Sequence, residues 1–283
     1  MSILLEKKNY SMDLNVFIIY GGVMTIETKN YMYQELLYVV YDYLLNEKCA
    51  HLDLDKLERI VIVCNNKLPD DVGARYENGL VLVKEESVKN ALSYIKERDV
   101  DKYIFQEIRY TSDNKTKLLI DNVMHELFHC DAEKKMPTLH SMLHSDNADP
   151  WKGCTARFWI ECTVEYKSHK DSFLMKEKLL EDISKANWEI NCFYGDEDIE
   201  KNMYQLIYAA SYFVPLNLLY GTEDKYLENV NDKQIYNLYS NLFEICRELI
   251  SKEEYIDDYS EIVGIENVFK DFFKKLNVKT FWA

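Results

Sequence analysis

The stretch KLLIDNVMHELFHCDAEKK, residues 117–135, decides which fold and chemistry the chain can be expected to have. Its apolar residues recur every three or four positions, which is typical of a helix with one face in the core. His125 and His129 are four positions apart, so a helix would place both imidazoles on one face, where they can bind one metal ion. Glu126 lies beside this pair and is directed past the metal, where it can take a proton from a water that the metal activates. The stretch therefore predicts a metal-binding helix, which Pro137 ends.

A catalytic zinc ion normally has three protein ligands and one position open for water, so a third ligand is required. A histidine six residues beyond His129 would give one known arrangement, but Lys135 stands there and Ala132 replaces the glycine between them. Glu161 and Glu165 are four residues apart in a stretch that otherwise has the pattern of a buried helix, where an unpaired charge is costly. Glu161 as the third ligand would gain a partner, and Glu165 could accept a hydrogen bond from a ligand histidine.

Other assignments of these roles remain open from the residues alone. Glu165 could bind the metal in place of Glu161, and weaker candidates for the third ligand are Asp131, His140, His144 and Asp146. A further donor is needed to stabilise the oxyanion of a tetrahedral intermediate. The candidates for that donor are Tyr166, His169, His144 and His140. For His140 and His144, which are also four residues apart, a solvated loop or short helix is the favoured interpretation.

The motif and the two downstream acids resemble the gluzincin branch of the HExxH zinc metallopeptidases. In thermolysin-like members a glutamate on a second helix is the third ligand and an acid one turn later orients a ligand histidine, which implies these roles for Glu161 and Glu165. A predicted hairpin at residues 73–83 is similar to the small ImmA/IrrE-type members, in which the outer strand pairs with an extended substrate. The resemblance covers roughly residues 73–170. It implies a zincin-like fold, a Zn²⁺ cofactor and a peptide or protein substrate.

Predicted strands lie before residue 85 and helices dominate after it, which favours an α+β fold with a small N-terminal sheet and a mainly helical C-terminal half. Strands are predicted at residues 16–20, 59–64 and 80–83, the last following an Asn78-Gly79 turn with residues 73–76 as its hairpin partner. The polar stretch 137–153 is predicted as a loop between two helices. The predicted helices are 31–46, 87–98, 117–135, 155–170, 173–186, 199–212, 232–251 and 259–276.

We expect a single domain of residues 1–283. Its metal-site core would span about residues 58–170, and its helical C-terminal part about residues 171–283. A separate helical domain that begins near Ser172 is the alternative. An aromatic stripe at helical spacing is expected to lie in the core rather than to cradle substrate. The stripe comprises Tyr204, Tyr208, Tyr212 and Phe213, and Cys130 and Cys162 are likewise predicted to be core thiols.

A net charge of −15 and a pI near 4.9 argue against nucleic acid and anionic membranes as partners, because both need a basic protein surface. The seven cysteines are odd in number and include no CxxC pair, which suits a reducing compartment. The N-terminal residues lack the features of a signal peptide, and no apolar stretch is long enough for a membrane span. We therefore expect a cytoplasmic protein, while the sequence leaves its oligomeric state open.

The sequence thus predicts a zinc metallopeptidase. In this hypothesis His125, His129 and Glu161 hold the zinc, and Glu126 activates a water for attack on a peptide carbonyl and then protonates the leaving amine. A non-catalytic zincin-fold protein with a binding or regulatory role is the first alternative, and four protein ligands with no open position would favour it. The second alternative is a zinc hydrolase of a non-peptide amide, because its metal chemistry is the same.

Overall fold

Apolar segments in the N-terminal part of the chain form a five-stranded sheet. The computed structural model describes residues 16–19, 22–27, 31–69, 72–97, 114–143, 149–170, 199–228, 230 and 232–275. The strands are β1 (Val16–Ile19), β2 (Gly22–Glu27), β3 (Arg59–Val63), β4 (Ala74–Glu77) and β5 (Leu80–Lys84). They are ordered β1-β2-β3-β5-β4, with β2, β3 and β5 parallel and with β1 and β4 antiparallel to their neighbours. β4 is therefore an outer strand of the sheet.

Branched apolar side chains account for the central strands β3 and β5. Their sequences, RIVIV and LVLVK, are rich in residues that favour a pleated, half-buried surface. Ile60, Val81 and Val83 are fully buried, which confirms both predicted strands. The strand β2 is not predicted, because the pattern ends the first strand before the glycine pair. Gly22 instead begins β2 opposite Ile19, where pairing with β1 offsets the low strand preference of a glycine.

The turn between β4 and β5 is formed by Asn78 and Gly79, as the sequence predicts. Their φ angles are 48° and 82°, the left-handed values that a two-residue type I′ hairpin turn requires. The Gly79 carbonyl accepts a hydrogen bond from Glu58 N at 2.8 Å, so the turn is also joined to the start of β3. A Cβ atom at Gly79 would lie 2.8 Å from the Lys56 carbonyl oxygen, which leaves no room for a side chain.

Among the described residues, three α-helices accompany the sheet: α1 (Tyr31–Glu47), α2 (Glu85–Glu97) and α3 (Asn114–Lys135). The predicted metal-binding helix is α3, and it begins at Asn114 rather than at the predicted residue 117. Its apolar residues recur at helical spacing and form a continuous buried face. The members of that face are Leu119, Ile120, Val123, Met124, Leu127 and Phe128.

Six further helices lie in the part of the chain that the structure describes: α4 (Pro137–Leu143), α5 (Pro150–Lys170), α6 (Ile199–Tyr220), α7 (Glu223–Leu227), α8 (Lys233–Ile250) and α9 (Tyr259–Lys275). α5 packs against α4, α6 and α9. Its large apolar side chains Trp151, Phe158 and Trp159 are buried, which makes it the central helix of this group. The predicted helix at residues 173–186 lies outside the described residues. Within the part of the chain that the structure describes, no helix combines the length and apolarity needed to cross a bilayer.

The stretch 137–153, predicted as a loop, is helical over much of its described length, and a short helix is one of the two forms considered above for the segment around His140. Residues 137–143 form α4, whose first N–H groups, at Thr138 and Leu139, donate to the Asp257 carboxylate at 3.0 Å each. This cap comes from more than a hundred residues away, so the local signal for the helix is Pro137 at its first position. α5 begins at Pro150, not at residue 155, and Asp149 Oδ1 accepts from Trp151 N at 2.9 Å. A proline at the first position of a helix has no N–H to leave unpaired.

The chain forms two compact units. One comprises residues 1–134 and 171–174, and the other comprises residues 135–170 and 175–283. The division therefore falls between Lys134 and Lys135 rather than near Ser172, because α5 packs with the helices that follow it. The α+β class, with a small sheet and mostly helical content, is confirmed, whereas the single-domain organisation stays a prediction.

We expect Gly79→Ala to lower the free energy of unfolding by about 1–3 kcal/mol, because an alanine at positive φ is strained and its Cβ would meet the Lys56 carbonyl. The matched control is Gly153→Ala in α5, where the nearest atom to an added Cβ is 3.6 Å away. That helical position should gain up to about 1 kcal/mol. Urea unfolding followed by circular dichroism measures both, and a Gly79→Ala protein as stable as the wild type would contradict the turn assignment.

Candidate metal centre

His125 and His129 approach each other across one turn of α3. Their Nε2 atoms are 3.0 Å apart, and their ring centroids lie 4.8 Å apart with the planes at 73°. Both side chains are half-buried beside the apolar face of the helix. Two nitrogens that bind one zinc ion at about 2.0–2.1 Å in tetrahedral geometry are roughly 3.3 Å apart. The separation of the two nitrogens therefore suits a shared metal ion, as their spacing in the sequence predicts.

Glu161 on α5 supplies the third potential ligand atom. One ring nitrogen of each histidine and one carboxylate oxygen of Glu161 all lie within 4.8 Å of one another. Among the described residues, no other group of three or more His, Cys, Asp or Glu side chains has ligand atoms this close. Glu161 is half-buried, and its neighbours Ile160 and Cys162 are buried. Two imidazoles and one carboxylate form a donor set that a catalytic zinc ion accepts.

Glu126, the predicted base, is a buried acid with 7% of its surface exposed. Its Oε2 atom accepts a hydrogen bond from the main-chain N–H of Tyr76 on the outer strand β4. An amide donor to an ionised carboxylate forms a charge-assisted bond, which is stronger than one between neutral groups. The sheet therefore fixes the Glu126 carboxylate through this hydrogen bond, while the two histidines on either side of it in sequence face each other.

The Tyr76 side chain also contacts α3. Its hydroxyl donates to Glu133 Oε2 at 2.7 Å, and Lys56 Nζ lies 2.8 Å from the other oxygen of that carboxylate. Burial raises the pKa of Tyr76 far above its usual value, and the hydrogen bond to Glu133 raises this pKa further. The hydroxyl therefore stays protonated and acts as a donor throughout the ordinary pH range.

Glu165, the predicted orienting acid, is buried and lies one turn after Glu161. Its Oε2 atom is 2.7 Å from Nδ1 of His169, one further turn along the same helix. Two side chains four residues apart on a helix meet in this way without help from elsewhere. The proton on this ring is assigned to Nδ1, because the main-chain carbonyl oxygen of Glu165 also lies 3.0 Å from that atom and can accept it. A role of Glu165 towards a ligand histidine stays a prediction.

The remaining candidates are spread over several elements. Asp131 is fully buried and accepts a hydrogen bond from Asp53 N at 2.8 Å, so it holds the segment before β3. Tyr166 is half-buried on α5, and His140 is half-buried on α4. His144 and Asp146 lie outside the described residues. The structure thus gathers His125, His129 and Glu161, and it gives Asp131 a structural partner.

Sequence reasoning missed two features near these residues. The first is Tyr76, since nothing in a four-residue strand marks its main-chain contact with Glu126. The second is the Tyr208–Tyr212 pair on α6, whose hydroxyls are 2.6 Å apart. Burial raises the pKa of Tyr212 strongly, and the negative charges of Glu161 and Glu165 raise it further, which places Tyr212 near both acids. Tyr208 is 46% exposed and is therefore not the core residue that the stripe predicts, while the side chain of Tyr204 is not described.

Comparison with known proteins finds no family model that matches the chain, and no curated protein and no solved structure matches it significantly. The gluzincin resemblance therefore stays a prediction, carried by the residues alone.

The thiol next to His129 should be chemically inert. Cys130 is fully buried as predicted, and burial raises the pKa of its thiol to about 11, although its hydrogen bond with the Tyr76 hydroxyl lowers this pKa in part. Because the pKa is raised, only about one thiol in a thousand is ionised at pH 8. We expect iodoacetamide at pH 8 to alkylate the exposed Cys64 and to leave Cys130 unmodified until the protein is unfolded. Peptide mass spectrometry measures both, and equal labelling of the two thiols would contradict the burial.

Proposed function

We propose that this protein is a zinc-dependent hydrolase of peptide bonds with a zincin-like fold. The observation that carries the proposal is the cluster of two imidazole nitrogens and one carboxylate oxygen within 4.8 Å, at His125, His129 and Glu161. Catalytic zinc sites use such sets of three protein ligands and keep the fourth position for water or substrate. Nitrogen ligands also favour zinc over magnesium or calcium, which prefer oxygen ligands throughout.

The chemistry divides between the metal and the protein. When bound, zinc would act as a Lewis acid that polarises a carbonyl group and lowers the pKa of a water molecule towards neutrality. Glu126 is the base: its carboxylate takes a proton from the water that attacks the peptide carbonyl carbon. The same carboxyl group then gives that proton to the nitrogen of the leaving amine, so the C–N bond breaks and the base is restored.

The surroundings of Glu126 support this role. A carboxylate has lone pairs for about four hydrogen bonds, and the Tyr76 N–H uses one of them on Oε2. The carboxylate therefore keeps the capacity to accept from a water molecule. Burial of Glu126 to 7% exposure removes most competing solvent, which strengthens every electrostatic interaction it makes.

A donor to the oxyanion is needed in addition to the metal. The sequence candidates are Tyr166, His169, His144 and His140. Tyr212 lies near Glu161 and is hydrogen-bonded to Tyr208. The hydroxyls of these two tyrosines are therefore further candidates for this donor. Burial raises the pKa of Tyr212 strongly, so its hydroxyl keeps the proton that a donor to an oxyanion needs.

We also propose a reducing compartment such as the cytoplasm. None of the six described cysteines, five of them buried, forms a disulfide with another described cysteine. A peptide or protein is the proposed substrate, and the net charge of −15 disfavours nucleic acid as a partner.

We expect the full-length protein, purified without chelator, to carry one zinc ion per chain, measured by plasma mass spectrometry. His125→Ala should weaken zinc affinity by at least about 100-fold, because it removes a ligand. The control is His51→Ala, an exposed histidine whose ring contacts Phe128, and its zinc affinity should equal that of the wild type. Failure of the wild type to bind zinc would overturn the proposal. Anomalous scattering that reveals four protein ligands would favour the non-catalytic alternative.

We expect Glu126→Gln to retain its zinc and to lower the rate of hydrolysis of a quenched fluorescent peptide library by at least about 1000-fold, because glutamine cannot accept the proton. Glu86→Gln, at an exposed position of α2, controls for the loss of one carboxylate charge. Full activity of Glu126→Gln would rule out its role as the base. A wild type that binds zinc but cleaves only small non-peptide amides would favour the second alternative.

A further inference from the structure

The direction of the main-chain groups of β4 can be worked out from its pairing with β5. Tyr76 lies opposite Val81, and the pairing starts with a hydrogen bond from Lys84 N to the Gly73 carbonyl at 2.9 Å. In an antiparallel pair, successive residues alternate between those bonded to the partner strand and those that face away from it. Residues 73, 75 and 77 therefore face β5, and the N–H and C=O groups of Tyr76 face away from β5, on the side of β4 where no other described strand pairs.

An outward N–H on an outer strand normally bonds to water or to another chain. At Tyr76 the N–H is instead bonded to Oε2 of Glu126, a carboxylate with 7% exposure. The contact joins residues 50 positions apart, and it is made to the side chain that the proposed function assigns as the base.

The side chain of Tyr76 fixes the same strand to the same helix. Its hydroxyl bonds to Glu133 at 2.7 Å, and the thiol of Cys130 also contacts it. Glu126, Cys130 and Glu133 are four and three residues apart, so they share one face of α3. Tyr76 therefore touches this face at three successive places, of which only the contact with Glu126 uses the main chain.

We propose that Tyr76 is a positioning residue for the base: its main-chain N–H holds the Glu126 carboxylate in one orientation, and its side chain keeps β4 at the distance from α3 that this bond needs. The inference rests on the proposed function for its catalytic consequence, whereas the contact itself does not depend on that function. A base must be held close to its reactive geometry, and a misplacement of about 1 Å can cost on the order of 100-fold in rate.

The contact can be tested without any substrate. We would measure amide hydrogen exchange by NMR on the full-length protein as purified, and compare Glu126→Ala with Glu126→Gln. The alanine variant removes the acceptor, so the Tyr76 amide should exchange at least about tenfold faster than in the wild type. Glutamine retains an acceptor oxygen, so that variant should keep most of the protection. The amides of Arg75 and Glu77, which face β5, report whether the hairpin stays folded.

Unchanged exchange of the Tyr76 amide in Glu126→Ala, with the Arg75 and Glu77 amides still protected, would overturn the contact. Equal loss of protection in the alanine and glutamine variants would also overturn it, because the acceptor oxygen would then have no role. Neither result would bear on zinc binding or peptide hydrolysis.

The catalytic consequence is tested with a pair of variants at Tyr76. Tyr76→Ala and Tyr76→Pro both lose the phenol, but only the proline loses the N–H, and an outer strand tolerates proline at an outward-facing position. With zinc content measured in both, kcat of Tyr76→Pro should fall about 10- to 100-fold below that of Tyr76→Ala, with KM differing by less than about threefold.

Equal kcat values for the two Tyr76 variants would reduce Tyr76 to a structural residue and overturn the positioning role. A merely structural role would predict similar losses in both variants, so the ratio between them is the decisive quantity. A wild-type protein that cleaves no peptide would overturn the proposed function and the catalytic consequence together. The exchange data would still decide whether the contact exists.

Discussion

Polar side chains on the buried faces of α3 require hydrogen-bonding partners from the elements that pack against this helix. The helix carries two half-buried histidines beside a continuous apolar face, and three of its four acids, Glu126, Asp131 and Glu133, accept hydrogen bonds from other elements. A buried polar group left without a partner costs about 1–3 kcal/mol, and more when it is charged. The acids are met from different elements: β4 donates to two of them, and the main chain of the segment before β3 donates to the third. The sheet and its connections are therefore arranged to meet the hydrogen-bonding needs of this helix.

Much of the fold could be predicted from the sequence where the determining signal is local. The Asn78-Gly79 pair dictates a hairpin because only left-handed φ values close that turn, and the apolar spacing of residues 117–135 dictates a half-buried helix. An interaction with a partner far away in the sequence cannot be predicted from local signals. The cap of α4 comes from the Asp257 carboxylate, and β2 depends on its pairing with β1, so neither interaction is visible in the residues of the element itself. The start of α5 at Pro150 was accessible in principle, because proline favours the first helical position.

The candidate site shows the same division between local and distant information. The four-residue spacing of His125 and His129 predicts that they lie side by side, since a helix brings residues four apart onto one face. The same rule applies to Glu165 and His169, which are also four residues apart and whose contact the spacing alone would predict. Glu161 was predicted as the third ligand from the free-energy cost of burying an unpaired acid and from a family resemblance. The nearness of Tyr212 to Glu161 results from the packing of α6 on α5, which no spacing rule encodes.

The outer side of β4, with which no other described strand pairs, also has a consequence for solubility. An outer strand with unpaired N–H and C=O groups is a template on which a second copy of a chain can add a strand and begin to aggregate. β4 is only four residues long, and the exposed Arg75 and Glu77 place charges along it. The carboxylate of Glu126 occupies one of its outward N–H groups, so less of the edge is available for pairing with another copy. The contact proposed to orient a catalytic base would thus also protect the protein against self-association through this strand.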